Sequence, residues 1–283
     1  MNPTNSPLRR EDYEEPVCLL AMDAERPAVQ PIPLARVMAR LDEHLSRDDY
    51  SGAERHIAYW LDEARRGGDK RGAYTLYNEQ MGLYRKTGRK DPAFAAMDKA
   101  LALMDELDFA QSAAGGTALV NAATVCTAFG ETNRALDLFA RAQTVYEREL
   151  APADSRLGGL YNNMALAHAA LAHAALAQYD EAFAFYAKAL AVMEQVENGE
   201  PEQAITHLNL ANAVEDAIGM EDGIERIEEH VNRAMELLDT PSLPRDGNYA
   251  FVCEKCAPTF DYYGQFMYAA ALRQRAQEIY DRT

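Results

Sequence analysis

A small residue recurs at nearly constant intervals along this 283-residue chain, and its recurrence restricts the fold more than any other feature. It is alanine at five positions, which follow one another at intervals of 42, 47, 45 and 42: Ala100, Ala142, Ala189, Ala234 and Ala276. Trp60 takes the equivalent place about one period before the first of them. Helical patterning runs from Leu34 to the end of the chain. A period of this length predicts an array of helical pairs, each burying its apolar face against the next.

The most complete unit, Leu157 to Met193, shows how one pair is built. A first helix from about Leu157 to Ala177 is rich in alanine and leucine, which favour helix. A turn at residues 178–181 follows, with Asp180 as the expected N-cap. A second helix then runs from about Glu181 to Val196, and small side chains such as Ala189 allow the two helices to approach closely.

Two of the intervals, 47 and 45, are longer than the others. The surplus of five has a visible origin, because residues 168–172 and residues 173–177 both read HAALA. This tandem duplication predicts a first helix longer by about 7.5 Å that stays helical throughout and projects at one edge of the array. The surplus of three falls near Ile218 to Gly223, where the acidic pair Glu221 and Asp222 predicts a longer turn.

The spacing of small and aromatic residues in each pair resembles the tetratricopeptide repeat. The longer period, and the run Leu-Tyr-Asn-Asn-Met-Ala at residues 160–165, resemble the 42-residue variety found in kinesin light chains. The resemblance covers about residues 34–282. It implies an all-α fold, a right-handed superhelix or α-solenoid of about six antiparallel helical pairs, whose first helices line the concave face.

The segment before the array, residues 1–33, has a different composition. Six prolines exclude a long helix there, and between them lies a short apolar run, Val17 to Met22. This leader is either flexible or lies on apolar surface of the array, including its groove. We expect residues 34–283 to form the repeats, in six approximate units: 34–67, 71–108, 112–150, 153–199, 201–240 and 246–283.

Composition excludes several classes of function. A net charge of −17 argues against nucleic acid or an anionic membrane as the main partner. No apolar run reaches the length of a transmembrane helix, and residues 1–30 lack the apolar core of a signal peptide. Four cysteines are too few for a disulfide scaffold. We therefore expect a cytoplasmic protein.

Residues that carry chemistry are sparse. Cys253 and Cys256 have the CxxC spacing, but no second ligand pair accompanies them, so two buried packing cysteines are expected rather than a zinc or redox site. His168 and His173 lie about 140° apart on a helix and do not share a face. No nucleophile, nucleotide-binding or dinucleotide motif is present. We expect no metal, no cofactor, no catalytic residue and no enzyme activity.

Asparagine is the more informative residue. Asn121, Asn163 and Asn209 occupy one equivalent site in three first helices, where asparagine is a mediocre helix former. One explanation is a hydrogen bond from repeat to repeat. The other is a row of amides that binds the backbone of an extended peptide, since each amide is both donor and acceptor.

The family resemblance places further side chains in the same groove. The predicted peptide-binding residues are Asn78, Arg85, Lys86, Asn121, Thr124, Asn162, Asn163, Asn209, Asn212, Glu215 and Asp216. Positive charge lies in the second unit and negative charge in the fifth and in the sixth, which adds Glu254 and Asp261. These charges would orient a bound peptide.

These features favour a non-catalytic module that binds a protein or an extended peptide segment. One alternative is a self-associating scaffold, for example a homodimer through the aromatic C-terminal pair. Its aromatics are Tyr249, Phe251, Phe260, Tyr262, Tyr263, Phe266, Tyr268 and Tyr280. A second alternative is a sensor of short signalling peptides.

Overall fold

Twelve α-helices succeed one another in the computed structural model, which describes residues 29–175 and 179–282. Consecutive helices pack as six pairs, so the predicted all-α solenoid is confirmed. The first helices of the pairs are α1 (Leu34–Leu45), α3 (Lys70–Lys86), α5 (Ala113–Ala128), α7 (Ser155–Ala175), α9 (Glu200–Ile218) and α11 (Gly247–Tyr262). The second helices are α2 (Tyr50–Arg66), α4 (Lys90–Glu106), α6 (Thr132–Glu149), α8 (Asp180–Met193), α10 (Met220–Leu238) and α12 (Phe266–Tyr280).

The helices form two layers. First helices contact the first helices of neighbouring pairs, α3 with α5, α5 with α7, α7 with α9 and α9 with α11. Second helices pack against the first helix of their own pair, and α2, α4, α6 and α8 also pack against the first helix of the next pair. The first helices therefore form the inner layer of the curved array and the second helices its outer layer.

The recurring alanines explain why the pairs pack so closely. All five alanines that define the period are fully buried at 0% exposure. A methyl group at these positions lets two helix backbones approach, and any larger side chain would push them apart. The larger side chains Phe139, Tyr186 and Phe260 fill the spaces between pairs and are also fully buried. The core is thus a series of contacts between neighbours rather than one central cluster.

The turn of the fifth pair differs from expectation. A longer turn near Glu221 and Asp222 was predicted, but Gly219 alone separates α9 from α10. Its backbone has a φ of 85°, which glycine adopts without steric cost. Glu221 and Asp222 lie instead in the first turn of α10, where the helix dipole favours negative charge. The three extra residues of the 45-residue interval thus lengthen the helices of this pair and not the turn between them.

The fourth pair contains the long helix. α7 has 21 residues and remains helical through the first HAALA copy and on to Ala175; residues 176–178 lie outside the described part of the chain. The expectation that Asp180 caps α8 is wrong. Tyr179 occupies the N-cap position without a side-chain cap bond, and Asp180 is the first helical residue, where its charge favours the helix dipole.

Two features of the ends of the chain bear on function. The backbone of residues 30–32 lies against the turn between α2 and α3, where the Gln30 amide donates to the Gly67 carbonyl oxygen at 2.8 Å. The apolar run Val17 to Met22 lies outside the described residues. Near the other end, Cys253 and Cys256 are buried in α11, as expected for packing residues, and burial raises the pKa of both thiols. No helix in the described ranges is long and apolar enough to cross a membrane.

Candidate functional site

Amide side chains join neighbouring helices of the inner layer. In the N-terminal half, the Asn121 side chain on α5 donates to the Asn78 side-chain oxygen on α3 at 3.2 Å. Asn78 in turn donates to the backbone carbonyl of Tyr74 at 2.9 Å. In this half the asparagines therefore make the repeat-to-repeat hydrogen bond that was one of the two explanations for their recurrence.

A second amide pair lies further along the same layer. The Asn209 side chain on α9 donates to the Asn162 side-chain oxygen on α7 at 3.0 Å. Asn163, the next residue on α7, is half-buried and makes no side-chain hydrogen bond within the described residues. Thr124 donates only to the Asn121 carbonyl of its own helix, at 2.8 Å.

The acidic end of the layer is built from two helices. The Tyr263 hydroxyl, just beyond α11, lies 2.9 Å from the Asn212 side-chain oxygen and 3.0 Å from the Glu215 carboxylate, and its single proton is shared between these two acceptors. The Tyr262 hydroxyl donates to the same carboxylate at 2.5 Å. Burial, followed by the proximity of Glu215, raises the pKa of the Tyr263 hydroxyl. These phenols hold Glu215 in place, a role that the sequence alone did not assign to them.

An open pocket of about 430 Å³ lies at this acidic end. It is lined by Asn212, Glu215, Asp216, Pro258, Thr259 and Tyr262. Asp216 is exposed and makes no ion pair within the described residues. The pocket combines two carboxylates, an amide and an aromatic ring, a combination that suits a cationic side chain.

The basic end is partly neutralised by its neighbours. The Lys86 ammonium lies 3.8 Å from the Asp48 carboxylate and 5.1 Å from the centre of the Tyr50 ring. Its pKa is raised chiefly by the Tyr50 hydroxyl, with smaller contributions from Asp48 and from Glu254. Arg85 is exposed and has no ion pair among the described residues.

Glu254 contributes to the raised pKa of Lys86, although the two residues lie far apart along the chain. Glu254 belongs to α11 and Lys86 to α3, four first helices earlier. The basic end lies in the second pair and the acidic end in the fifth and sixth pairs. Asp261, the other predicted acidic group of α11, forms an ion pair with Arg273 of α12.

The packing of α9 on α10 brings together a pair of titratable residues that the sequence alone does not indicate. The Nδ1 atoms of His207 on α9 and His230 on α10 lie 3.1 Å apart, and both rings are half-buried. Burial lowers the pKa of His207 to about 4, and the neighbouring His230 and Arg233 contribute to this shift. Their separation along the chain matches no ligand motif, and only the packing of α9 on α10 brings them together. The described part of the chain contains no group of three metal-ligating side chains.

No protein-family model matches the sequence, and no curated protein does. Solved structures similar to this chain include BtubC (BKLC) from P. vanneervenii, at 16% identity and a TM-score of 0.47 over 88% of this chain and 91% of the other. A putative kinesin light chain with nearly identical TPR-like repeats from Podosopora anserina has 16% identity and a TM-score of 0.48 over 72% and 92%. A tetratricopeptide repeat protein from Parabacteroides merdae has 16% identity and a TM-score of 0.42 over 87% and 93%. These structures include tetratricopeptide repeat proteins and kinesin light chain-like repeats, as the sequence predicts. The similarity concerns the fold alone.

Proposed function

We propose that this chain is a non-catalytic module that binds an extended segment of a partner protein along its inner surface. The observation that carries the proposal is the pair of amide bridges, Asn78 with Asn121 and Asn162 with Asn209, on neighbouring inner helices. The bridges hold polar side chains at fixed positions along the inner layer. Such a row matches the backbone groups of an extended chain.

The bridging amides keep hydrogen-bonding capacity for a ligand. A carboxamide offers two donors and two acceptor sites, and the Asn121 and Asn209 side chains each use one donor in their bridge. The other donor and the oxygen stay available. Because the bridges already orient these side chains, binding requires less loss of side-chain entropy than it would for free amides.

Charges at the two ends define the chemistry of the segment. Arg85 is exposed and unpaired within the described residues, so it can take an acidic side chain. The pocket of Glu215 and Asp216 can take a basic one. A segment with an acidic residue at one end and a basic residue at the other would fit in a single direction. Since the first helices form the inner layer of a curved array, we expect the bound segment to follow that curve.

The test begins with peptides selected from a random phage-displayed library on the wild-type protein, with affinities measured by fluorescence anisotropy. Asn163→Ala should weaken binding about fivefold, the loss of one net hydrogen bond, at both low and high salt. The matched control is Asn133→Ala, an exposed asparagine on the outer helix α6. It should leave affinity unchanged.

Charge reversal provides the second arm. Arg85→Glu combined with Lys86→Glu should weaken binding more at low salt than at high salt, because exposed charges are screened. Arg141→Glu combined with Arg226→Glu, two exposed arginines on the outer helices α6 and α10, is the control because it changes the net charge by the same amount. If neither Asn163→Ala nor the double reversal alters affinity for any selected peptide, the binding surface lies elsewhere and the proposal fails.

Self-association is the second candidate, and a specific observation favours it. Three large apolar side chains near the turn of the sixth pair are 63%, 66% and 87% exposed: Tyr262, Phe266 and Met267. Exposed Ile224 and Met220 border the adjoining pocket. Several exposed large apolar side chains in one pair are the kind of surface that marks a contact site. Light scattering coupled to size exclusion tests it: a concentration-dependent dimer that Met267→Asp abolishes would support a scaffold, and a monomer at all concentrations would exclude one.

A further inference from the structure

An apolar groove lies on the outer side of the array, away from the amide bridges. It runs between the second helices α2 and α4, with α3 as its floor, and has a volume of about 710 Å³. Its apolar lining includes Leu61, Ala73, Tyr77, Ala102 and Leu103. This volume lies within the range of roughly 300–1,000 Å³ that ligand sites occupy. We call it the outer groove.

Basic side chains border the outer groove in a chain that is otherwise strongly acidic. Arg65 and Lys70 are exposed at the rim, and each has a carboxylate partner, Asp62 and Glu106 respectively. Lys99 lies 5.3 Å from the centre of the Tyr77 ring and has no ion pair within the described residues. The groove therefore suits an apolar segment that has acidic residues beside it.

The N-terminal part of the chain enters the array at the rim of this groove. The Ile32 amide donates to the buried Asp69 carboxylate at 2.9 Å, and the Gln30 amide donates to the Gly67 carbonyl. Gly68 and Asp69 themselves line the groove. Residues 1–28 therefore lead away from a point that is fixed at the groove edge.

We propose that the apolar run Val17 to Met22 occupies the outer groove of its own chain. The run is bordered by Glu14 and Glu15 on one side and by Asp23 and Glu25 on the other, and these carboxylates can pair with Lys99, the rim cation without an ion pair among the described residues. Residues 23–29 connect the run to the anchor and can span at most about 25 Å. The groove floor is one helix spacing of about 10 Å from the rim, well within that reach.

The docked run converts an exposed apolar groove into a covered surface. It brings carboxylates beside Lys99 and buries leucine and methionine side chains that would otherwise face water. A protein segment of the same pattern, apolar with acidic borders, would compete for the groove. The outer groove is thus a second interaction surface, independent of the inner one, so its test does not depend on whether the inner surface binds a peptide.

Cysteine cross-linking in the full chain tests the location. Cys18 lies within the apolar run, and the other three cysteines are buried. In Ala102→Cys, at the groove, mild oxidation should join Cys18 to position 102 within one molecule. Ala191→Cys is the matched control, because Ala191 has the same place in the fourth pair, two positions after Ala189, and is also exposed. It should form no such bridge.

Thiol labelling tests the charge complementarity. Lys99→Glu should raise the rate at which Cys18 reacts with a thiol reagent by about tenfold, the factor that corresponds to 1.4 kcal/mol. Lys188→Glu, at the equivalent position over Tyr161, should not change that rate. Bridges formed equally at positions 102 and 191, or at neither, would overturn the proposal. A bridge at 102 that joins two molecules would also overturn it, because the occupant would then be a second copy.

Discussion

At the scale of single residues, Asp69 shows how one buried carboxylate connects two parts of the fold. Its two oxygens accept hydrogen bonds from the Gly72 amide in the first turn of α3 and from the Ile32 amide, both at 2.9 Å. A Cβ at Gly72 would approach one Asp69 oxygen to 2.4 Å and an Ile32 carbon to 2.8 Å, so glycine is required there. The helix start and the anchored segment thus depend on one side chain.

We expect Asp69→Ala to lower the free energy of unfolding by about 2–4 kcal/mol, because it removes a helix cap and leaves the buried Ile32 amide without an acceptor. Asp246→Ala, which removes only the cap of α11, is the control and should cost about 1 kcal/mol. Urea denaturation followed by circular dichroism measures both. Equal losses for the two variants would show that the bond to Ile32 adds nothing.

The His207 and His230 pair predicts how stability depends on pH. The folded pKa of His207, about 4, lies below its ordinary value of 6.5, so the unfolded chain binds more protons between these values. Stability should therefore be lost as pH falls from about 6.5 toward 4. His207→Gln should flatten the dependence of Tm on pH in this window, as followed by differential scanning fluorimetry. His173→Gln, at an exposed site, should leave the dependence unchanged. If both variants lose stability with acid as the wild type does, other groups control the transition.

At the scale of helices, α7 and α9 accommodate extra residues in different ways. Both surplus segments extend helices, but only the one in α7 carries a tandem copy. The buried side chains described for α7 run from Leu157 to Ala172, and His173, which begins the second copy, is exposed. Gly219 allows α9 and α10 to lengthen without a longer connection.

We expect deletion of residues 173–177 to preserve the fold, because it restores the 42-residue interval and keeps the buried side chains of α7 up to Ala172. Helix content by circular dichroism should fall only by the residues removed, and unfolding should remain cooperative. Deletion of residues 118–122 in α5 removes the buried Ala118, Leu119 and Ala122 and should abolish folding. An unfolded product from the first deletion would contradict this account of the duplication.

Periodicity was sufficient to predict the helical pairs, because each alanine that defines it is a close contact between helices. It also placed Asn121 and Asn209 at equivalent sites. It could not show that these side chains bond to Asn78 and Asn162, since such bonds depend on the relative rotation of two helices. The same reason applies to the proximity of His207 to His230 and to the outer groove. Both arise from the packing of one helix against another, which produces no recurring interval in the sequence.

At the scale of the whole molecule, the core is divided among neighbouring clusters. One extends from α1 to α3, a second from α3 to α8 and a third from α9 to α12, and a smaller one across α7 to α9 connects the second to the third. Stability in such an array is a sum over units and their interfaces, and distant units are not obliged to unfold together.

We expect this division to appear in hydrogen exchange. Phe260→Ala removes a fully buried ring from the α9–α12 cluster, a loss of about 3–5 kcal/mol, and should raise exchange there while α3 to α6 stay protected. Phe139→Ala, in the α3–α8 cluster, should do the reverse. Mass spectrometry resolves the two halves. A uniform loss of protection in both variants would show that the array unfolds as a single unit.

The packing of each helical pair mainly against the pairs beside it has a mechanical consequence. A small extension of the array is shared among all the interfaces between pairs, so each interface moves by only a fraction of the total. We expect the array to open and close elastically around a partner, with the strain distributed over all six helical pairs.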